Sequence, residues 1–195
     1  MKISQLHAAK IYIPLLLSAF TLSGCTKSFS QAVLNESPLL SQQWQVIRVS
    51  DGDTIAVRQG EREMKIRFCG IDAPETKHGK QPGQPLGTES KANLQRLVDE
   101  VEGKVSVVSI ESDRYGRTVA EIFSSKNGLE KNFNEEQLSS GLAMVYPSFI
   151  KKCPNSDVFI RAEEIAKNKR LGVWGDSSSI PPWNFRKQQR QNNGN

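Results

Sequence analysis

Hydrophobic and polar residues alternate along three short segments in the first half of the chain, as they do in strands that bury one face. The third segment is the clearest, because Met64, Ile66 and Phe68 would share one face while the residues between them are polar or small. A Ser-Asp-Gly-Asp sequence, typical of a tight turn, separates the first two segments. The pattern predicts three consecutive strands, at residues 44–50, 54–58 and 63–69.

Helical and strand patterns follow each other in the rest of the chain. Thr88 is a candidate N-cap of a first helix, and Asn134 with Gln137 resembles a capping box at a second. A helix between the third and fourth of five strands is the order of an OB-fold. We therefore expect an α+β chain that is mainly β, a five-stranded OB-fold β-barrel with about three helices. The further strands are predicted at 104–110 and 117–123, and the helices at 88–101, 134–140 and 156–170.

Composition divides the 195 residues into four parts. A lysine-bearing start, an apolar run of 12 residues and small residues after it predict a cleaved signal peptide, because a membrane-spanning helix needs about 20 residues. The remaining length suits a single folded domain between polar segments. The predicted parts are a lipoprotein signal peptide at 1–24, a lipid-anchored flexible spacer at 25–43, the folded domain at 44–175 and a polar disordered tail at 176–195.

The signal peptide ends in Leu-Ser-Gly followed by Cys25, which resembles the lipobox of bacterial lipoproteins, where the cysteine is lipidated. The resemblance implies an extracytoplasmic protein anchored to a membrane. The outer membrane is slightly favoured, because Thr26 is not the aspartate that retains many lipoproteins at the inner membrane. An ordinary cleaved signal, and hence a periplasmic or secreted protein, is the alternative. In an oxidising compartment Cys69 and Cys153 are candidates for a disulfide, and two buried free thiols are the alternative.

Net charge gives little information about the partner. The formal charge of +5 falls to +3 when Lys2 and Lys10 leave with the signal peptide, and Arg186, Lys187 and Arg190 lie in the predicted tail. The folded domain is then almost neutral, so a polyanionic partner has to be argued from the placement of individual arginines.

Residues 66–75 combine one arginine, Arg67, with two carboxylates, Asp72 and Glu75. An arginine suits a phosphate, and carboxylates suit a hard metal ion or a water molecule that must lose a proton. Pro74 favours an extended turn, which separates the positions of the two carboxylates. With Asp-Gly-Asp-Thr at 51–54 and Asp-Arg-Tyr-Gly-Arg at 113–117, the stretch suggests a metal-assisted phosphodiesterase.

These three motifs, in their order and spacing, resemble the staphylococcal (micrococcal) nuclease or thermonuclease family from about residue 46 to residue 174. The resemblance implies a calcium-dependent, sugar-nonspecific endonuclease that hydrolyses DNA and RNA to products with 3′-phosphate ends. Single-stranded or frayed regions would be preferred, and the protein would be a monomer. Two other functions stay open: an OB-fold module that binds single strands without catalysis, and a structural envelope lipoprotein stabilised by Ca²⁺.

The resemblance also implies which residues act. Ca²⁺ would be held by the carboxylates of Asp53 and Asp72 and by the backbone carbonyl of Ala73, where the family has a threonine, with Asp51 nearby; Mn²⁺ is an alternative metal. Glu75 would be the general base for water, and the remaining candidates are cationic or aromatic. Arg67 and Arg117 would clamp the phosphate, and the candidate substrate-binding residues are Lys77, Arg114, Tyr115 and Tyr146.

Overall fold

The computed structural model describes residues 43–79 and 81–192, which contain eight strands and four α-helices. The strands are β1 (Gln43–Asp51), β2 (Thr54–Gln59), β3 (Arg62–Phe68), β4 (Ile71–Asp72), β5 (Lys104–Ser112), β6 (Thr118–Lys126), β7 (Leu129–Asn132) and β8 (Met144–Val145). The helices are α1 (Gly87–Glu100), α2 (Phe133–Ser139), α3 (Ser156–Asn168) and α4 (Pro182–Asn192).

The main sheet curls into a barrel. Its strands lie in the order β3-β2-β1-β5-β6-β7, and β3 also pairs with β6 in parallel. This second pairing, with Arg67 opposite Val119, closes five strands into a mixed barrel, whereas β7 extends the edge beyond β6. The α+β architecture and the five-stranded OB-fold barrel predicted from the sequence are confirmed.

Most of the core consists of apolar residues from the predicted strands and helices, and Phe133, which lies just before the second predicted helix, joins them. The strands contribute side chains that are at most 1% exposed, and α1, α2 and α3 each add a large side chain to the same cluster. Burial of each such side chain stabilises the fold by about 1.5–3 kcal/mol. The largest members are Ile55, Ile66, Phe68, Leu94, Ile122, Phe133 and Phe159.

The first two helices begin differently from the prediction. The N-cap of α1 is Leu86, with a left-handed backbone (φ 66°) and no capping side chain, so Thr88 lies inside the first turn. The N-cap of α2 is Asn132, whose side chain accepts hydrogen bonds from the next backbone N–H groups. Asn134 is instead buried, and its amide bonds the backbone of Cys69 and of β6. It therefore joins helix to barrel rather than capping the helix.

Residues near the C-terminus depart most from the prediction. Helix α4 lies within residues 176–195, the segment that the sequence predicts to be a disordered polar tail. The segment has little apolar periodicity, and in α4 only Pro182 is fully buried. Tertiary contacts, rather than an amphipathic pattern, hold this helix. The short strands β4, β7 and β8 were not predicted either, because two to four residues are too few to show a period.

A disulfide joins Cys69, which directly follows β3, to Cys153, which precedes α3. Of the two alternatives left by the sequence, the structure contains the bonded pair. The bond spans 84 residues, and such a bond typically stabilises the fold by about 2–4 kcal/mol. It ties the end of the barrel strand that carries Arg67 to the C-terminal part of the domain.

The predicted signal peptide, the lipidation site Cys25 and the spacer up to residue 42 lie outside the described residues. No helix within residues 43–79 and 81–192 is long and apolar enough to cross a membrane.

Candidate active site

One end of the barrel gathers three acidic side chains, Asp53, Asp72 and Glu75, of which the first two bond Arg67. Asp53 lies in the turn between β1 and β2, and the pairing of Thr54 with Arg67 brings this turn beside β3. Asp72 ends the short strand β4, and Glu75 follows three residues later. The motifs at 51–54 and 66–75 therefore converge, because the β2–β3 register and the β4 turn bring their acidic residues to the same place.

Arg67 joins the two buried aspartates. One terminal nitrogen of Arg67 donates a hydrogen bond to Asp53 Oδ1, and the other terminal nitrogen donates one to Asp72 Oδ1. Both aspartates are at most 1% exposed, and 16% of the arginine side chain is exposed. The second oxygen of Asp53 accepts the backbone N–H of Ala73 at 2.6 Å, and Thr54 Oγ1 donates to Oδ1 at 3.0 Å. Such charge-assisted bonds fix both carboxylates in one geometry.

The turn that carries Asp53 is supported from behind by Gln137 of α2. Its amide nitrogen donates to the carbonyl oxygen of Gly52 at 2.5 Å and to that of Ser90 at 3.1 Å. A Cβ atom on Gly52 would lie 1.8 Å from the Ser90 hydroxyl, so no larger residue fits between turn and helix. Gln137 is fully buried, and its hydrogen bond to Gly52 therefore fixes the position of the Asp53 turn relative to the core.

The backbone of Glu75 is held by the residues that lead into α1 and by the first residue of that helix. Its N–H donates to Gln84 Oε1 at 3.1 Å, and its carbonyl accepts the N–H of Gln84 at 2.8 Å. Gly87 packs against the same peptide, since a Cβ there would lie 2.2 Å from the Glu75 carbonyl oxygen. The Glu75 side chain is 26% exposed, so it is placed firmly and yet remains in reach of solvent.

A second arginine, Arg186 of α4, contacts the same acids from the other side. Its Nη1 donates to Asp72 Oδ1 at 2.9 Å and to Glu75 Oε1 at 2.6 Å, and its Nη2 donates to Asp72 Oδ2 at 2.7 Å. Burial opposes the charged form, but the hydrogen bonds and charges of Asp72, and then Glu75, outweigh it and raise the pKa of Arg186. Sequence analysis had assigned this residue to the tail.

Arg117 belongs to a separate turn beside the barrel. Its Nε donates to Asp113 Oδ2 at 2.7 Å, and its backbone N–H donates to Asp113 Oδ1 at 2.9 Å. Burial works against ionisation of Asp113, but these bonds from Arg117 and one from the Tyr115 N–H outweigh it and lower the pKa of Asp113. The structure thus pairs Arg117 with its own turn rather than with Asp53, Asp72 or Glu75.

The predicted substrate-binding residues fall into two groups. Tyr115 is 69% exposed, and the guanidinium of Arg114 lies over its ring at 4.8 Å, so both are open to solvent beside Arg117. Tyr146 is different, because its ring stacks on Trp183 of α4 at 5.1 Å and is therefore covered on one face. Lys77 is exposed in the loop after Glu75.

The acids fit a hard divalent cation by their chemistry. Buried carboxylates need compensating positive charge, and here the two guanidinium groups of Arg67 and Arg186 supply it. Both oxygens of Asp72 and one of Glu75 converge on the single cationic group of Arg186. Within residues 43–79 and 81–192, however, no three His, Cys, Asp or Glu side chains form a ready metal-binding group.

Asp51 supports the turn rather than joining the acid cluster. Its Oδ1 accepts the backbone N–H of Asp53 at 3.1 Å. Burial raises the pKa of Asp51, and the nearby charge of Arg67 partly offsets this. Asp51 therefore acts on Asp53 through the turn backbone.

Sequence reasoning missed Arg186, Trp183, Gln84 and Gln137 as parts of the site. The first two lie in a segment whose composition gives no structural pattern. Gln84 lies in an irregular loop, and the capping-box pattern of Gln137 does not indicate a contact with the Asp53 turn. The only available signal was the presence of Trp183 and three cationic residues, Arg186, Lys187 and Arg190, in an otherwise polar C-terminal stretch.

Comparison with known proteins identifies the same family as the motifs. The family described as "Staphylococcal nuclease homologue" matches residues 65–176, more than half of the chain. An uncharacterized endonuclease of Haemophilus influenzae is 31% identical over 94% of this chain and 88% of its own length. The micrococcal nuclease of Shigella flexneri is 31% identical, over 75% of this chain and 81% of its own.

The thermonuclease of Staphylococcus hyicus is 36% identical over 67% of this chain and 72% of its own length. The matched region contains the barrel strands and turns that carry Arg67, Asp72, Glu75 and Arg117. The chain therefore belongs to the staphylococcal nuclease family, and it is a nuclease that hydrolyses phosphodiester bonds.

Proposed function

We propose that this nuclease is calcium-dependent, does not discriminate between DNA and RNA, and leaves 3′-phosphate ends. The observation that carries the proposal is the arrangement of Arg67 between Asp53 and Asp72, with Glu75 beside them on a solvent-accessible turn. This arrangement combines oxygen donors for a hard cation, a cationic group for a phosphate and a carboxylate for a water molecule.

The residues that would hold Ca²⁺ are Asp53, Asp72 and the backbone carbonyl of Ala73. Calcium takes about six to eight oxygen ligands, so three from the protein leave positions for phosphate oxygens and water. Bound there, the cation would neutralise charge on the phosphate and lower the pKa of a nearby water molecule. Asp53 is already oriented by the Ala73 backbone N–H, a hydrogen bond that does not depend on the side chain at position 73.

Glu75 is the general base in this proposal. Its carboxylate would accept a proton from a water molecule that attacks phosphorus in line with the leaving 5′ oxygen. The Gln84 contacts fix the Glu75 backbone, so the carboxylate is positioned before substrate arrives. A base held in this way need not be ordered by the substrate.

Arg67 and Arg117 would contact the phosphate from two directions. A guanidinium donates to two oxygens at once and stays charged, so it can stabilise the charge that builds up in the transition state. Asp113 orients Arg117 through its Nε, and the Arg117 side chain is 30% exposed. Arg117 thus has donors available for a phosphate that arrives from solvent.

Tyr115, Arg114 and Lys77 would bind the strand around the cleaved bond, and Tyr146 would contact it once its ring is uncovered. A ring such as the exposed one of Tyr115 stacks on any base and contributes about 1–3 kcal/mol, which suits an enzyme that ignores sequence and sugar. Unpaired strands expose their bases, so single-stranded or frayed regions would be preferred.

The site of action would be extracytoplasmic, with the mature chain anchored to a membrane through a lipid on Cys25 and active as a monomer. The lipobox-like sequence supports the anchor, and the disulfide between Cys69 and Cys153 fits an oxidising compartment. Mass spectrometry of the N-terminal peptide tests the anchor directly, since a diacylglyceryl group on Cys25 is the expected mass change.

One assay tests the activity. Full-length protein in mild detergent is incubated with single-stranded DNA and with RNA, in Ca²⁺ and in chelator, and the product ends are identified. We expect cleavage of both in Ca²⁺ only, with 3′-phosphate ends. Binding without cleavage would instead favour an OB-fold binding module, and neither would favour a structural lipoprotein.

A further inference from the structure

Helix α4 lies directly on the proposed catalytic site. Three contacts attach the segment 180–186 to it. Arg186 binds two acids, the Trp183 ring stacks on Tyr146 with an interplanar angle of 6°, and the Ile180 carbonyl accepts a hydrogen bond from Gln84 Nε2 at 2.9 Å. Each contacted residue belongs to the proposed machinery or holds it in place. We call residues 180–192 the strap.

Arg186 forms hydrogen bonds with two of the three acids of the proposed catalytic site, Asp72 and Glu75. Three charge-assisted hydrogen bonds of 2.6–2.9 Å occupy both oxygens of Asp72 and one oxygen of Glu75. Asp72 is fully buried, so a positive charge has to remain close to it. The guanidinium of Arg186 therefore occupies Asp72, which a divalent cation would bind, and Glu75, which would face the water bound to that cation.

Trp183 covers the aromatic surface next to the acids. Parallel stacking at 5.1 Å is also the geometry in which a nucleobase would lie on Tyr146. Beside Glu75, a cleft of about 170 Å³ remains between His78 and Pro82 on one side and Phe185, Arg186 and Arg190 on the other. Ligand pockets usually measure about 300–1,000 Å³, so this space is too small for a nucleotide until the strap moves.

The strap is attached weakly enough to leave. Of the residues in α4 only Pro182 is fully buried, and the side chain of Arg186 is 30% exposed. A segment with little buried apolar surface opens at a small fraction of the global unfolding free energy. The barrel would stay folded, since none of its core residues lies in α4.

We propose that the strap is an autoinhibitory element, in which Arg186 stands in for the divalent cation at Asp72 and Glu75 while Trp183 stands in for a base on Tyr146. The proposal rests on the metal site assigned under the proposed function. Calcium and strap then compete, so the apparent dissociation constant for Ca²⁺ is the intrinsic one divided by the fraction of molecules with the strap released. By reciprocity, Ca²⁺ binding releases the strap.

The experiment measures Ca²⁺ binding by isothermal titration calorimetry on the full-length protein and three variants, without substrate. Arg186→Ala removes the competing cation. Trp183→Ala loosens the strap without changing any charge, which separates strap release from simple electrostatics. Lys187→Ala is the matched control, because it removes the same charge from the neighbouring exposed position of α4. We expect Ca²⁺ affinity to rise about tenfold or more in the first two variants and less than twofold in the control.

A second readout follows the strap itself. The chain has three tryptophans, Trp44, Trp174 and Trp183, so 5-fluorotryptophan labelling gives three ¹⁹F resonances that Trp183→Phe assigns. We expect Ca²⁺ to shift the Trp183 resonance of the parent protein, and Arg186→Ala to shift it without Ca²⁺. Unchanged Trp44 and Trp174 resonances would show that each variant is folded.

Three outcomes separate the proposals. Tighter Ca²⁺ binding in both strap variants, with a moving Trp183 resonance, supports the strap. If both variants bind Ca²⁺ like the control and the Trp183 resonance does not respond, the strap proposal is overturned while the calcium-dependent nuclease stands. If neither variant nor parent binds Ca²⁺ or cleaves in its presence, the metal assignment fails and the strap proposal fails with it.

Discussion

Arg67 and Arg186 both place a guanidinium on the carboxylate of Asp72, but they are held by very different parts of the molecule. Arg67 belongs to β3, which pairs on both sides in the closed barrel. Arg186 belongs to a helix that the structure buries at only one residue. The same ion pair can thus be a permanent part of a site or a removable cover, depending on how its backbone is anchored.

The partners of the two arginines differ in the same way. Arg67 bonds Asp53 and Asp72, which are both at most 1% exposed, whereas Arg186 bonds Asp72 and the partly exposed Glu75. Glu75 has to be free for a proton transfer, so only a releasable arginine can be tolerated on it. The predictions below test this contrast, beginning with the largest effect.

Replacement of Glu75 by Gln should have the largest effect. The substitution keeps the size of the side chain but removes the base, so we expect kcat to fall about 10²–10⁴-fold. Nucleotide binding should change little, because Arg67 and Arg117 remain. Single-turnover cleavage and equilibrium binding on the same oligonucleotide measure the two quantities. A variant that cuts at the parental rate would show that another group takes the proton.

Replacement of Arg67 by Ala should lower the free energy of unfolding far more than replacement of Arg186 by Ala. The change leaves Asp53 and Asp72 buried with one cation fewer, which typically costs about 3–5 kcal/mol of unfolding free energy at neutral pH. Arg186→Ala should cost at most about 1 kcal/mol, because Arg67 still compensates Asp72 and the strap is partly exposed. Urea unfolding of both variants compares them. Equal losses would mean that the strap is as integral as the barrel.

Replacement of Arg117 by Ala should reduce activity without this loss of stability. Removal of one preorganised donor to a charge-bearing transition state typically costs about 10²-fold or more in kcat. Arg117 bonds only its own turn in the described part of the chain, so we expect the unfolding midpoint to stay close to the parental value. Lys151→Ala, which removes an exposed cation outside the site, is the control. Activity within threefold of the parent would contradict the role.

Reduction of the disulfide should lower the stability of the domain and leave the strap bound to the site. Loss of such a bond lowers the unfolding free energy by about 2–4 kcal/mol. Among the described residues, the hydrogen bonds, ion pairs and ring stacking that hold Trp183 and Arg186 involve Tyr146, Asp72 and Glu75 rather than Cys69 or Cys153, so the Trp183 ¹⁹F resonance should not change while the protein stays folded. Thiol labelling of unreduced, denatured protein gives the matching control, and label on either cysteine would argue against the bond.

The barrel and half of its site were predictable from local patterns. Strand alternation placed Ile66 inside and Arg67 beside the polar groups, and the motifs named Asp53, Asp72 and Glu75. Capping was predicted less well, because Asn132 and Asn134 are equally good caps in sequence and only the packing of Asn134 against the barrel decides between them.

The cover over the site was not predictable. Arg186 lies 114 residues from Asp72, and the hydrogen bond between them exists only because the chain returns to the barrel after α3. A solvated tail and a docked strap have the same composition when few apolar residues are buried. Similarly, the sequence places Gln137 in a capping box, and only the folded structure shows that its side chain instead bonds the carbonyl of Gly52.

The smallest expected effect concerns Asp113, which orients a third guanidinium in an exposed turn. Its pKa is lowered in the folded protein, so its contribution to stability is complete above the unfolded-state pKa near 3.8 and is lost as the pH falls through the lower folded value. Asp113→Asn should therefore lower the unfolding free energy at pH 7 by at most about 1 kcal/mol, and the difference from the parent should vanish under strongly acidic conditions. Urea unfolding between pH 7 and pH 2 measures this convergence. A difference that persists unchanged in acid would mean that the Asp113 charge does not hold the Arg117 turn, and that this arginine, unlike Arg67, is positioned by its backbone alone.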